Sequence, residues 1–212
     1  MTTVTAKKIY DLNNMNVAAQ RAQLGTLIMG GAIVPSVGTL STVNTLRYNT
    51  TPAVKSATAT KAAFALLVGA QTGITAGITQ PDVPRTVTVK GNDGNVAGNV
   101  VVHGTNFAGT VVSDTIALNG ATEVAGLVAF KTVTSIDYPA YAVADTETVS
   151  IGRGVGIGFP SIINNASDVL THDFNGATDG GSVVADATLG KSVYLVDGTM
   201  DSTKVLSLTY VA

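Results

Sequence analysis

The chain has 212 residues, a formal net charge of −2, no cysteine and no tryptophan, and only 12% of its residues are charged, against about 25% in ordinary domains. That composition excludes a disulfide framework, thiolate metal sites and thiol nucleophiles. Mean hydropathy is +0.35, yet no apolar run approaches the roughly 20 residues that span a bilayer, so apolar surface must be hidden in a core or against other subunits.

The opening Met1-Thr2-Thr3-Val4 lacks the charged-then-apolar run of a secretory signal, and no membrane association is expected. Charge is unevenly spread. Residues 1–90 hold eight Lys/Arg against two acids, and residues 91–212 hold four against twelve. A basic beginning suits either nucleic acid or an acidic neighbouring subunit. The basic residues do not cluster and no aromatic ladder interleaves with them, which disfavours nucleic acid.

Residues 1–55 are predicted to form an extended arm. Asn13-Asn14 can cap a short helix running through Met15, Val17, Ala18, Ala19, Arg21, Ala22 and Leu24, which Gly25 then interrupts. Gly30, Gly31, Pro35, Gly38 and Pro52 break any later pattern. The apolar patch Leu27-Ile28-Met29, beside Arg21, Arg47 and Lys55, marks these six residues as candidate contacts with other subunits.

From residue 56 to 160 the pattern is that of a β-sandwich. Ala62–Val68 is a short apolar run limited by Gly69 and Gly73, and its length favours a strand. After the rigid Gln80–Arg85 entry, Thr86–Lys90 alternates strictly, turns at Asn92–Asn95 and resumes at Asn99–His103. Thr110–Leu118 follows, then Leu127–Tyr138 as one strand with Phe130, Thr132, Thr134, Ile136 and Tyr138 on one face. Glu147–Gly152 is the next strand. In residues 161–212, Asp168–Phe174, Ser182–Ala187, Ser192–Asp197 and Lys204–Val211 continue in the same style, as added strands or a small companion unit. Strands every ten to fifteen residues, joined by Gly/Asn/Asp turns, indicate an all-β chain: an Ig-like β-sandwich with an N-terminal arm and additional C-terminal strands.

No constellation of reactive residues passes its context test. In Gly152-Arg153-Gly154-Val155-Gly156-Ile157-Gly158 glycines alternate, but Phe159-Pro160 follows where a phosphate-binding loop would open a helix. The series reads instead as a strand with one bare face, open to close approach by another backbone. His103 and His172 have no second ligand at metal-binding spacing and read as ordinary strand histidines. Asp197 and Asp201 lack the calcium-loop pattern and read as a solvated turn. A glycosidase pair would draw on Asp114, Glu123, Asp137, Asp145 or Glu147, but the aromatic platforms of a polysaccharide site are missing. No catalysis and no cofactor are expected.

Two groups of segments carry a resemblance. Gly77–Val89 leads into paired strands, followed by Ile116–Gly120 and Phe130–Ile136; Val149–Gly152 then runs into Gly156-Ile157-Gly158-Phe159-Pro160. This order resembles virion structural proteins of tailed bacteriophages, including head decoration (cement) proteins. The likeness covers residues 75–160 and extends more loosely to 212. It implies a virion component without deciding between head and tail; the leading reading is a decoration protein on the capsid surface, assembled in the bacterial cytoplasm, with other copies of itself and the major capsid protein as partners. A tail-tube or baseplate subunit is the alternative within a virion. A carbohydrate-binding adhesin module is the alternative outside it, since one sandwich serves many functions.

Overall fold

Alternating apolar residues dictate pleated strands, and a computed structural model of the chain arranges them in three antiparallel sheets; it describes residues 45–141 and 147–211. The strands are β1 (Thr45–Thr50), β2 (Ser56–Ala65), β3 (Gln71–Ile74), β4 (Arg85–Gly91), β5 (Asn99–Thr105), β6 (Val111–Ala117) and β7 (Val124–Phe130). They continue with β8 (Thr132–Tyr138), β9 (Thr148–Gly158), β10 (Val169–Phe174), β11 (Ala177–Thr178), β12 (Ser182–Val184), β13 (Val193–Leu195) and β14 (Leu206–Val211). The chain is all-β and sandwich-like. The expected helix at residues 13–24 lies outside the described residues.

One six-stranded sheet runs β12-β13-β9-β4-β7, with β2 also paired to β9, and faces the sheet β3-β8-β5-β6. Their inner faces enclose a first core that includes Val87, Val89, Val102, Phe130, Ile136, Tyr138 and Ile151. The third sheet, β1-β14-β10-β11, closes a second core over the far end of β9, with Ile157, Phe159, Phe174, Tyr194, Leu206 and Tyr210. The eleven-residue β9 serves both cores. Its first half pairs with β2 and its last three residues with β13, while β4 lies along its other edge.

The glycines of β9 make this sharing possible. A Cβ at Gly152 would collide with the Ser56 carbonyl, the Thr88 hydroxyl and the Ala57 backbone. The bare face admits the β2 backbone, as the alternating glycines predict. Gly152→Val should therefore destabilise the body by more than the roughly 1–3 kcal/mol of ordinary overpacking, because backbone rather than a flexible side chain is in the way. Urea unfolding checks this, and a change below ~1 kcal/mol would show that β2 does not approach so closely.

The largest differences from expectation are two. Residues 45–55, assigned to the arm, belong to the body: β1 pairs in register with β14 from Thr45↔Val211 to Thr50↔Leu206, and the described residues form one compact unit. Leu46 and Tyr48 supply the alternation, obscured in the sequence by the Gly/Pro-rich surroundings. Likewise Leu127–Tyr138 is two strands, because the chain crosses from one sheet to the other at Lys131, whose N–H donates to the Thr105 carbonyl at 2.8 Å. Beyond the crossing, a bulge at Thr134 puts Val133 in the core in place of Thr132 and Thr134. The Gln80 side-chain amide repairs the ladder there, accepting from Val133 N–H at 2.8 Å and donating to its carbonyl at 2.9 Å.

Candidate interaction surface

The basic residues expected to reach other subunits find partners at home where they are described. Arg47 Nε donates to Ser207 Oγ on β14 at 3.1 Å, and Lys55 Nζ lies 3.0 Å from Glu123 Oε2. Strand pairing of β1 brings Arg47 onto the third sheet, so neither residue belongs to a detached arm. Arg21, Leu27, Ile28 and Met29 lie outside the described residues.

The candidate histidines and acids are also engaged within the body. His103 on β5 meets Asp137 on β8 at 2.9 Å, and the Gly73 N–H donates to the same Asp137 carboxylate at 2.7 Å. The Gly73 N–H and the His103 ring hold that carboxyl below its usual pKa range. His172 on β10 contacts the Tyr194 hydroxyl at 3.1 Å. Asp201 folds back on the N–H groups of Thr203 and Lys204, each at 2.9 Å, while the Asp197 N–H is taken by Asp179. Asp145 lies outside the described residues. Among the described residues no three His, Asp or Glu side chains converge as a metal site would require.

A polar centre that sequence reasoning missed lies where the two cores meet. Arg85, fully buried at 0% exposure, opens β4 opposite a bulge in β9 that spans Gly154–Gly156. The bulge frees the Gly154 carbonyl and the Gly156 N–H from the ladder. Arg85 Nε and Nη2 both donate to that carbonyl, and the Thr86 hydroxyl accepts from Gly156 N–H at 3.2 Å. Arg85 Nη1 also binds the Ala53 carbonyl at 2.9 Å and Asp82 at 3.1 Å. Burial lowers the guanidinium pKa and the Asp82 carboxylate opposes that fall. The guanidinium joins β4 to β9 and to the segment before β2 and is itself shielded from solvent, while the Asp82 carboxylate at its edge is partly exposed.

The outward-facing feature of the body is the corner formed by β6 and β7, the last strands of the two facing sheets. Asp114 of β6, nearly buried, reaches across the corner and accepts the N–H groups of Leu127 and Val128 at 2.7 and 3.0 Å. A Cβ at Gly126 would strike that carboxylate, so the small residue is what admits it. This use of Asp114 satisfies the backbone groups that a bulge in β7 releases. The same two strands carry Val111, 82% exposed, and Leu127, 68% exposed, the highest values among the large apolar side chains described.

Sheet edges invite pairing with other chains, and proteins blunt them with short strands, bulges, charges or coverings. Here β11 and β12 have two and three residues, and β3 has four, with an irregular register. On β2, the Thr60 carbonyl accepts from Thr79 N–H and Lys61 Nζ donates to the Ala76 carbonyl, so the segment 76–79 lies alongside it. The β1 edge exposes Arg47, and β7 is bulged and tied to Asp114. By contrast, β6 pairs with β5 over all seven residues without a register shift, and no described strand pairs with its other side. Its outer face is Val111, Ser113, Thr115 and Ala117, all exposed and uncharged.

No family model matches this sequence, and no similarity was found to a curated protein or to a solved structure.

Proposed function

We propose that the chain is a structural virion protein of a tailed phage, a capsid decoration protein that stabilises the head through contacts with copies of itself and with the major capsid protein. The observation that carries this reading is the β6–β7 corner, where a regular uncharged edge coincides with the two most exposed large apolar side chains described. Such a surface is a liability for a free monomer and an asset for a subunit. The order of strand and turn motifs between residues 75 and 160 supports the phage assignment. Symmetry multiplies weak contacts of this kind, which is how a shell protein resists the pressure of packaged DNA.

The test is electron microscopy of intact particles containing either the full chain or a version lacking residues 1–44. The full chain should appear on the head in symmetric copies. The shortened chain should keep the thermal unfolding of the body, because β1–β14 pairing begins at Thr45, while its occupancy on particles falls. A chain absent from purified particles overturns the assignment, and a shortened chain that unfolds overturns the division at residue 44.

A further inference from the structure

We infer that β6 is a self-association strand, pairing antiparallel with β6 of a second copy of this chain about a two-fold axis at Asp114. A two-fold contact is isologous: each surface must complement itself, so the residues on either side of the axis must match in reverse order. The strand Val111-Val112-Ser113-Asp114-Thr115-Ile116-Ala117 meets this condition. Reading outward from Asp114 in either direction gives a hydroxyl residue, then a β-branched apolar residue, then another apolar residue. With the axis at Asp114, Ser113 faces Thr115 of the second copy and Val111 faces its Ala117. On the inner face Val112 meets Ile116. Hydroxyl and apolar cross-strand pairs of these kinds stabilise sheets, whereas a like-charge pair would oppose them.

The like-charge pair in this register is Asp114 with itself, and the fold has already dealt with that carboxylate. It is turned to the inner face, 9% exposed, and its Oδ2 is held by the Leu127 and Val128 N–H groups of its own chain. The outer face of β6 carries no charge. A seven-residue strand spans about 23 Å at the usual rise. Pairing along it joins two four-stranded sheets of this type into one continuous eight-stranded sheet and shelters Val111. The contact is shorter than the interfaces of tight dimers, which bury about 1,200–2,000 Å². It is therefore a weak joint in solution and gains strength where many copies are held together.

The inference rests on reading the chain as an assembly subunit, but a separate measurement decides it. The full-length protein should sediment as a concentration-dependent dimer. Ser113→Lys combined with Thr115→Lys places two pairs of like charges across the joint and should weaken the dimer by roughly tenfold or more, with thermal unfolding of the monomer unchanged because both positions are exposed. A milder pair reads the register directly, since the protein has no cysteine. Ser113→Cys protein mixed with Thr115→Cys protein should form a disulfide-linked heterodimer under mild oxidation, and neither should crosslink efficiently alone.

A protein that sediments as a monomer at every concentration overturns the inference, as does a dimer indifferent to the two lysines. If such an indifferent dimer is lost on deleting residues 1–44, the contact belongs to that segment instead. A β6 dimer in a protein absent from particles would refute the virion reading and leave this one standing. A particle-bound protein with no β6 dimer would do the reverse.

Discussion

Replacing Arg85 with Ala should cost the body about 3–5 kcal/mol, the range for emptying the site of a large buried side chain and leaving buried acceptors unpaired, and should lower the midpoint of thermal unfolding by roughly 10 °C. The side chain is fully buried and its guanidinium is committed in three directions: the Gly154 carbonyl, the Ala53 carbonyl and Asp82. Truncation leaves both carbonyls without their donor and a cavity where the two cores meet, and Asp82 keeps the Ala53 N–H at 2.6 Å and the more distant Arg153 at 3.6 Å. Domains of this size are stable by only about 5–15 kcal/mol, so the loss is a large share of the total. Arg85→Lys separates the causes. It keeps the charge and most of the volume, but its three donors diverge from one nitrogen and cannot span all three acceptors as the guanidinium fork does. Lys should recover part of the stability, with urea midpoints in the order wild type, Lys, Ala. A lysine variant as stable as wild type would show that charge and volume matter and the forked geometry does not.

Arg85 also shows where sequence reading stops. In the sequence it is one of eight basic residues among the first 90, and it reads as part of a surface charge imbalance. Nothing local reveals that its partner is a carbonyl 69 positions away. The partial signal was the glycine series in β9, correctly read as a strand with a bare face. A bare face implies that something approaches it, and backbone from β2, side chains from β4, Leu195 and Ala129 do so. Period-2 alternation made β4, β5, β6 and β14 legible, since burial on one face leaves a direct trace in the order of residues. It failed at Thr134, where a bulge shifts the phase, and at Lys131, where the chain changes sheets without leaving an extended conformation. The chemical palindrome of β6 was present in the sequence throughout. Its meaning depends on β6 being an edge, and edge status is set by pairings between segments far apart in the chain.

Asp179→Ala should be the second most damaging change, costing about 3–4 kcal/mol as the buried Tyr194 hydroxyl and three part-buried backbone N–H groups lose their acceptor. This carboxylate, buried at 7% exposure, accepts from Gly181 N–H, Asp197 N–H, Gly198 N–H and the Tyr194 hydroxyl, at 3.2, 3.0, 2.9 and 2.8 Å. It thereby fastens the turn after β11 to the turn after β13 and fixes Tyr194 in the second core. Burial works to raise its pKa, but the backbone donors and the hydroxyl outweigh burial and hold the carboxyl below its usual range. Its native pKa is therefore lower than its unfolded value of about 3.9. The stability it contributes is present in full above that value and is lost as the pH falls from about 4 toward the lowered native pKa. Asp179→Asn keeps the shape without the charge. The gap in urea midpoint between wild type and this variant should be constant near neutrality and should close progressively below about pH 4. Asp82 and Asp137, whose pKa values are also lowered, are present in both proteins, so their own acid response cancels in the comparison. A gap that stays constant down to about pH 2 would mean that the charge on Asp179 contributes nothing and that its oxygen atoms alone organise the two turns.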